Sequence, residues 1–148
     1  MHSFKETRNM PYSASLINSI VLDIEKYPEF LPWCSKAKII SKNDDYLTAE
    51  LEVSFKGFAE SYVSKVYHTS TDGQYLIEVV AISGPFKYLK NVWSINSENK
   101  RSEVKFSIDF EFKSRILDMV IGMIFSTATE KMIAAFESRA KDLSKTPV

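Results

Sequence analysis

Catalysis at neutral pH usually recruits histidine or cysteine, and this chain of 148 residues offers His2, His68 and Cys34. His2 is terminal. His68 falls near the end of a predicted strand with no evident partner and reads as a sheet-surface or edge residue. Cys34 stands beside Trp33 at a predicted helix end and reads as a small buried packing residue. No pair of His or Cys has metal-ligand spacing, and no glycine-rich phosphate loop is present. The expectation is a chain with no catalytic residues, no metal and no catalytic cofactor.

Two other groups could do chemistry of a milder kind. Tyr62 and Ser64 are two apart, so in a strand they share a face, and a hydroxyl facing apolar space needs a partner. Val63 and Tyr67 compete with Tyr62 and Val66 for the inner face, and spacing leaves both registers open. Lys36, Lys38, Lys87 and Lys90 flank the Pro32-Trp33-Cys34 and Gly84-Pro85-Phe86 turns. They read as solvated surface, or as a basic rim that meets anionic lipid or RNA.

The elements that position these groups follow from periodicity. After an extended segment at 3–8, Met10-Pro11 breaks the chain, and Ser13 caps a short helix carrying Leu16, Ile17, Ile20, Val21 and Ile24. Pro28 and Pro32 then allow one tight helical turn over 27–34 and no more. From Leu47 the period changes to two: Leu47, Ala49, Leu51, Val53 and Phe55 alternate with polar residues, as do Val104, Phe106, Ile108, Phe110 and Phe112. Weaker strands are read at 59–69, 74–82 and 88–95. The turn signals at 43–45, 56–58, 72–73, 83–85 and 96–100 are short enough to force antiparallel neighbours.

From 114 to about 143 the period is helical, with Ile116, Val120, Met123, Ile124, Thr127, Ala128, Met132, Ala135, Phe136 and Arg139 on the better-defined face. Glu130, Lys131, Glu137, Ser138 and Lys141 look outward. Such a helix is about 45 Å long, and the strand before it about 43 Å, so the helix can turn back along the sheet. Gly122 inside it allows close approach of another helix, or marks a hinge. The resulting order is strand, two short helices, six meandering strands and a long helix: an α+β domain spanning 1–148, with a curved antiparallel sheet of about seven strands.

Composition bounds the function. Lys plus Arg equals Asp plus Glu at 19 each, which argues against DNA as a partner. A lone cysteine and an N-terminus without a secretory run predict a cytoplasmic location. The most apolar stretch, 116–125, is shorter than the roughly 20 residues of a membrane span. Aromatic residues make up 13% of the chain, enough either to fill a large core or to line a pocket. Trp33, Phe55, Tyr62, Trp93, Phe106, Phe110 and Met123 suit both roles.

Several segments together carry a family resemblance. They are Tyr27-Pro28-Glu29-Phe30-Leu31-Pro32-Trp33-Cys34, Leu51-Glu52-Val53-Ser54-Phe55-Lys56-Gly57 with Glu60-Ser61-Tyr62-Val63-Ser64, Gly84-Pro85-Phe86-Lys87-Tyr88-Leu89 leading to Trp93, Phe110-Glu111-Phe112-Lys113-Ser114, and Met132-Ile133-Ala134-Ala135-Phe136-Glu137-Ser138-Arg139-Ala140. With these the chain resembles the coenzyme Q-binding proteins of the START-like (helix-grip, Bet v 1-like) superfamily. That group also includes the bacterial ribosome-association toxin and proteins labelled oligoketide cyclase or lipid transport protein. The resemblance implies a helix-grip fold whose long helix covers the concave face over a deep apolar tunnel. It implies bound ubiquinone or a similar polyprenyl lipid, held without catalysis in support of cellular respiration.

On that reading the ligand cavity is lined by Trp33, Val53, Phe55, Tyr62, Ser64, Trp93, Phe106, Phe110, Ile116, Val120, Met123 and Ile124. Tyr62 and Ser64 would donate to quinone carbonyls, and the protein would touch a membrane surface transiently, peripheral to the inner membrane. The toxin branch implies the large ribosomal subunit as partner and a block of subunit joining. The cyclase branch implies action on an aromatic polyketide, which the scarcity of acid–base groups disfavours.

Overall fold

The computed structural model describes residues 1–55 and 57–144; Lys56, named in the turn at 56–58, lies outside them. Seven strands form one antiparallel sheet: β1 (His2–Met10), β2 (Cys34–Lys42), β3 (Tyr46–Phe55), β4 (Phe58–Thr71), β5 (Gln74–Ser83), β6 (Phe86–Glu98) and β7 (Arg101–Phe112). Their spatial order is β1-β7-β6-β5-β4-β3-β2, so β2 to β7 meander and β1 returns beside β7. Consecutive positive φ angles at Asp72-Gly73 and Asn99-Lys100 suit two-residue hairpins, whose turns must match the strand twist. Register shifts in β2–β3, β4–β5 and β6–β7 are sites where a strand bends, and they curve the sheet.

Two helices lie against the concave face. Helix α1 (Ala14–Leu22) begins where the Ser13 hydroxyl accepts from the Leu16 amide at 3.1 Å, and it buries Ala14, Ile17, Ile20 and Val21. The second short helix comes earlier than the sequence suggests: a 3-10 helix spans Ile24–Glu29 and encloses Pro28, and Cys34 opens β2 rather than closing a helix. The Leu31 amide donates to the Tyr27 carbonyl at 2.8 Å, and Trp33 then turns the chain with φ of +64°, a conformation unfavourable for a bulky residue. Together these steer the chain straight into the edge strand.

Helix α2 (Arg115–Ser144) buries Phe125, Thr129, Ile133, Phe136 and Ala140. This face is rotated from the expected one. At the start of the helix the Asp118 carboxylate accepts from the Phe112 amide at 2.9 Å and lies 3.0 Å from His2 Nε2. The amide bond first, and His2 after it, hold the Asp118 carboxyl below its ordinary value. One turn on, Gly122 closes on β1, not on another helix. A Cβ there would come within 2.6 Å of the His2 ring.

These contacts point residues 118, 122 and 125 toward the sheet and leave Ile116, Val120 and Met123 outward, with Met123 82% exposed. Thr129 tolerates burial because its hydroxyl donates to the Phe125 carbonyl at 2.8 Å. By length and composition α2 is also apolar enough to cross a membrane, which the ten-residue stretch alone does not reveal; only 17% of its most apolar window is buried.

Candidate functional site

Beneath the second half of α2 the sheet carries a row of small side chains. Ala49 of β3 faces Ser64 of β4, and Ser64 faces Ala81 of β5. The buried pattern of β4 makes Tyr62, Ser64 and Val66 the inner-facing series, which resolves its register. Over these residues stand Met132 and Phe136 from α2, with Val21, Ile24 and Tyr27 from the helices before β2. The shortfall of side-chain volume at Ala49 and Ser64 leaves a partly enclosed cavity of about 180 Å³, while Ala81 packs against the Leu89, Phe110, Phe112 and Phe125 cluster beside it. Trp33 and Cys34 close one side of it, and Trp93, Leu89 and Ile108 another. Trp33 also lines a shallow outer groove with Ser54, Phe55, Gly57, Phe58 and Ala59, so it stands between cavity and surface.

The walls are mostly apolar, and their few polar groups differ in how they are satisfied. Asn91 is partnered on both sides of its amide: its Nδ2 donates to the Ser107 carbonyl at 2.8 Å, and its Oδ1 accepts from Trp93 Nε1 at 3.1 Å. The Tyr27 hydroxyl donates to the Val21 carbonyl. Ser64 is completely buried and its Oγ has no partner among the described residues. Such an orphan costs about 1–3 kcal/mol. The Tyr62 hydroxyl, two residues away on the same face, also makes no hydrogen bond among them.

Among the described residues, the titratable side chains lining the cavity are Tyr27, Cys34 and Tyr62. Burial raises all three: both phenols sit well above their ordinary value, with nearby ionisable groups adding to the shift, and the Cys34 thiol is pushed up to about 11. All stay protonated at neutral pH, and a protonated thiol is a poor nucleophile.

Of the residues expected to line a cavity, the structure brings together Trp33, Val53, Tyr62, Ser64 and Trp93. Phe55 faces the outer groove and touches the Trp33 ring edge-on at 5.9 Å between centroids. Phe106 and Phe110 are ordinary packing residues, the first against Trp93 and Phe4, the second against Phe86 and Phe125. Ile116, Val120 and Met123 are exposed and Ile124 is half-buried outside the cavity, because α2 is rotated by its contacts at Asp118 and Gly122. Replacing Met123 by tryptophan is therefore expected to change stability by no more than about 0.5 kcal/mol, a thermal midpoint shift under about 2 °C. Melting of the ligand-free variant checks this.

The lysines do not form one rim. Ala37, Ile39 and Leu89 take the inner face, so Lys36, Lys38 and Lys90 project from the other side, with three strands between β2 and β6. Each stands opposite an acid in the register, respectively Glu52, Glu50 and Asp109. Lys38 reaches Glu50 at 3.5 Å, and Lys87 reaches Glu111 at 3.3 Å. His68 is exposed on β4, away from the cavity.

Sequence reasoning missed Asn91, although it keeps phase with Leu89, Trp93 and Ile95 as a polar residue in an apolar face. It also missed the small-residue row, whose signal is visible only once the strand register is known.

Comparison with known proteins supplies the family. The family described as polyketide cyclase / dehydrase and lipid transport matches residues 10–137. The ribosome association toxin RatA of Rickettsia prowazekii is 49% identical over 98% of this chain and 100% of that protein. A mitochondrial coenzyme Q-binding protein, COQ10 homolog B of Xenopus laevis, is 29% identical over 93% of this chain and 57% of that protein. A START superfamily protein from Mycobacterium smegmatis superposes with a TM-score of 0.81 at 21% identity, covering 97% of this chain and 99% of that one. That likeness shows the START-like, helix-grip fold. With the match running from Met10 into the last turns of α2, the chain belongs to the polyketide cyclase / dehydrase and lipid transport family.

Proposed function

We propose that the chain binds ubiquinone or a related polyprenyl lipid at the cavity and carries it without chemical turnover, in support of respiratory electron transfer. The observation that carries this reading is a cavity of about 180 Å³ with mostly apolar walls and a buried hydroxyl that has no partner among the described residues. That is the usual make-up of a small-molecule site. The likeness to a coenzyme Q-binding protein supports it. Binding rather than catalysis is favoured because, among the described residues, no carboxylate, histidine or lysine lines the cavity, and its thiol and phenols are held protonated. A polyketide cyclase or dehydratase would need such a group to move protons.

Organic extraction of protein made in a quinone-producing host, followed by mass spectrometry, tests the reading. The expected extract contains a quinone or prenyl lipid. An extract with neither removes it. The stripe of Ile116, Met119, Val120 and Met123, all exposed on α2, suits brief contact with the bilayer that would supply such a ligand. Flotation with phospholipid vesicles tests this contact, and protein that stays behind counts against it.

A second reading has its own support, the 49% identity to a ribosome association toxin over nearly the whole chain. In it the domain binds the large ribosomal subunit and blocks subunit joining. It predicts co-sedimentation with large subunits that weakens as salt rises, since contact with RNA releases counterions. Failure to co-sediment at low salt eliminates it.

A further inference from the structure

We infer that the cavity is a subsite for one ring bearing hydrogen-bond-accepting oxygens, with the Ser64 hydroxyl as donor and any chain on that ring left outside past Trp33. This rests on the ligand-binding reading above and specifies which part of the ligand enters.

Size gives the first step. An apolar cavity of roughly 150 Å³ takes a benzene ring, so about 180 Å³ takes one substituted ring and not a polyprenyl chain as well. The deep tunnel expected from the resemblance is thus a chamber. Its polar chemistry gives the second step. Ser64 is 0% exposed, lines the chamber and lacks a partner among the described residues, while Asn91 is held in place by one bond to Ser107 and one from Trp93. A hydroxyl so placed is satisfied by an acceptor carried in by the ligand, and Tyr62 on the same face can serve a second oxygen. A carbonyl or ether oxygen on a ring meets this need, whereas a plain hydrocarbon leaves Ser64 unpaired. Route gives the third step. Trp33 lines both the chamber and the outer groove with Phe55 and Phe58, so a chain leaving there stays on apolar surface.

The test uses two tetramethyl rings of the same shape, duroquinone and durene, which differ in the two carbonyl oxygens. Affinities are measured by protein NMR titration on the natural chain, Ser64→Ala and Tyr62→Phe. Duroquinone is expected to bind the natural chain about tenfold more tightly than durene, the worth of one hydrogen bond. Ser64→Ala is expected to abolish most of that preference while leaving durene affinity unchanged, and Tyr62→Phe to reduce it in part. Ligand-free Ser64→Ala should melt at or above the natural midpoint, because it removes an orphan hydroxyl. A trimethylquinone with a decyl chain should show the same dependence on Ser64.

Equal binding of the two rings, or a preference that survives Ser64→Ala, overturns the inference and leaves the ligand-binding reading standing. A lower midpoint for ligand-free Ser64→Ala also overturns it, since the hydroxyl would then serve the fold. Loss of the Ser64 dependence with the decyl compound shows that the chain, not the ring, occupies the chamber. If none of the compounds binds, the ligand-binding reading itself fails.

Discussion

Replacing Phe136 by alanine is expected to lower the thermal midpoint by on the order of 10 °C, since truncating a buried phenylalanine costs about 3–5 kcal/mol and each kcal/mol moves a domain of this size by about 2–4 °C. Phe136 is 3% exposed and joins the two halves of the structure. Its ring meets Trp93 of β6 at 4.9 Å, Tyr27 at 5.5 Å and Phe30 at 5.4 Å, all edge-to-face. Such pairs add to the value of the buried area itself. The chain has little to spare, because a typical domain is stable by only about 5–15 kcal/mol.

The same ring is also a wall of the cavity, so the variant separates two roles. If Phe136 is held rigidly by its aromatic neighbours, the void left by truncation joins the existing chamber and a bulkier ring is admitted. If the helix collapses into the gap, stability falls less and the chamber shrinks. Thermal melting with ring binding, measured on the same variant, tells these apart. A midpoint within about 2 °C of the natural chain, under 1 kcal/mol by the same conversion, would show that α2 is not fastened through Phe136.

How much of this was legible beforehand depends on how many contacts decide each feature. The strands at Tyr46–Phe55 and Arg101–Phe112 could be read from alternation because one face is dry and the other wet over five pairs of residues. The Ser13 cap and the hairpin at Asp72-Gly73 are local, and a few adjacent residues fix them. The orientation of α2 is not local. Leu117, Ile121 and Phe125 form one apolar stripe, and Ile116, Val120 and Met123 form another on the same turns, so periodicity has no basis for choosing between them. The choice is made by Asp118 and Gly122 meeting His2, residues more than a hundred positions away in the chain.

The cavity was legible only in part for a related reason. Large residues such as Trp33, Tyr62 and Trp93 announce themselves, and they do line it. What creates the space is the lack of volume at Ala49 and Ser64, and small residues attract no notice until strand pairing sets them side by side. Ser64 carries a second signal that only burial reveals. A serine in a strand is ordinary; a serine at 0% exposure without a partner is costly, and that cost is what makes it informative.

The link between chamber and fold is tightest at Gly84, and Gly84→Ala is expected to impair both together. Gly84 has φ of +112°, outside the range that L side chains adopt comfortably, and it packs directly on β4. A Cβ placed there would lie 2.5 Å from Tyr62 Cβ, 2.9 Å from Tyr62 Cα and 2.9 Å from the Ser61 carbonyl oxygen. Two of these are backbone atoms, so no rotamer change relieves the overlap.

Backbone strain of about 1–2 kcal/mol and overpacking of about 1–3 kcal/mol then act together. The expected fall in midpoint is again on the order of 10 °C. Gly57→Ala is the control, because Gly57 also has positive φ, +82°, yet a Cβ there meets nothing within 4 Å. That variant carries the strain without the overlap and should lose only a few degrees. Because the overlap falls on Tyr62, a wall residue two positions from Ser64, Gly84→Ala should also weaken duroquinone binding, while Gly57→Ala leaves it unchanged. Equal midpoints for the two variants would mean that β5 and β6 yield at this turn and that the close packing of Gly84 on β4 does not hold the chamber in shape.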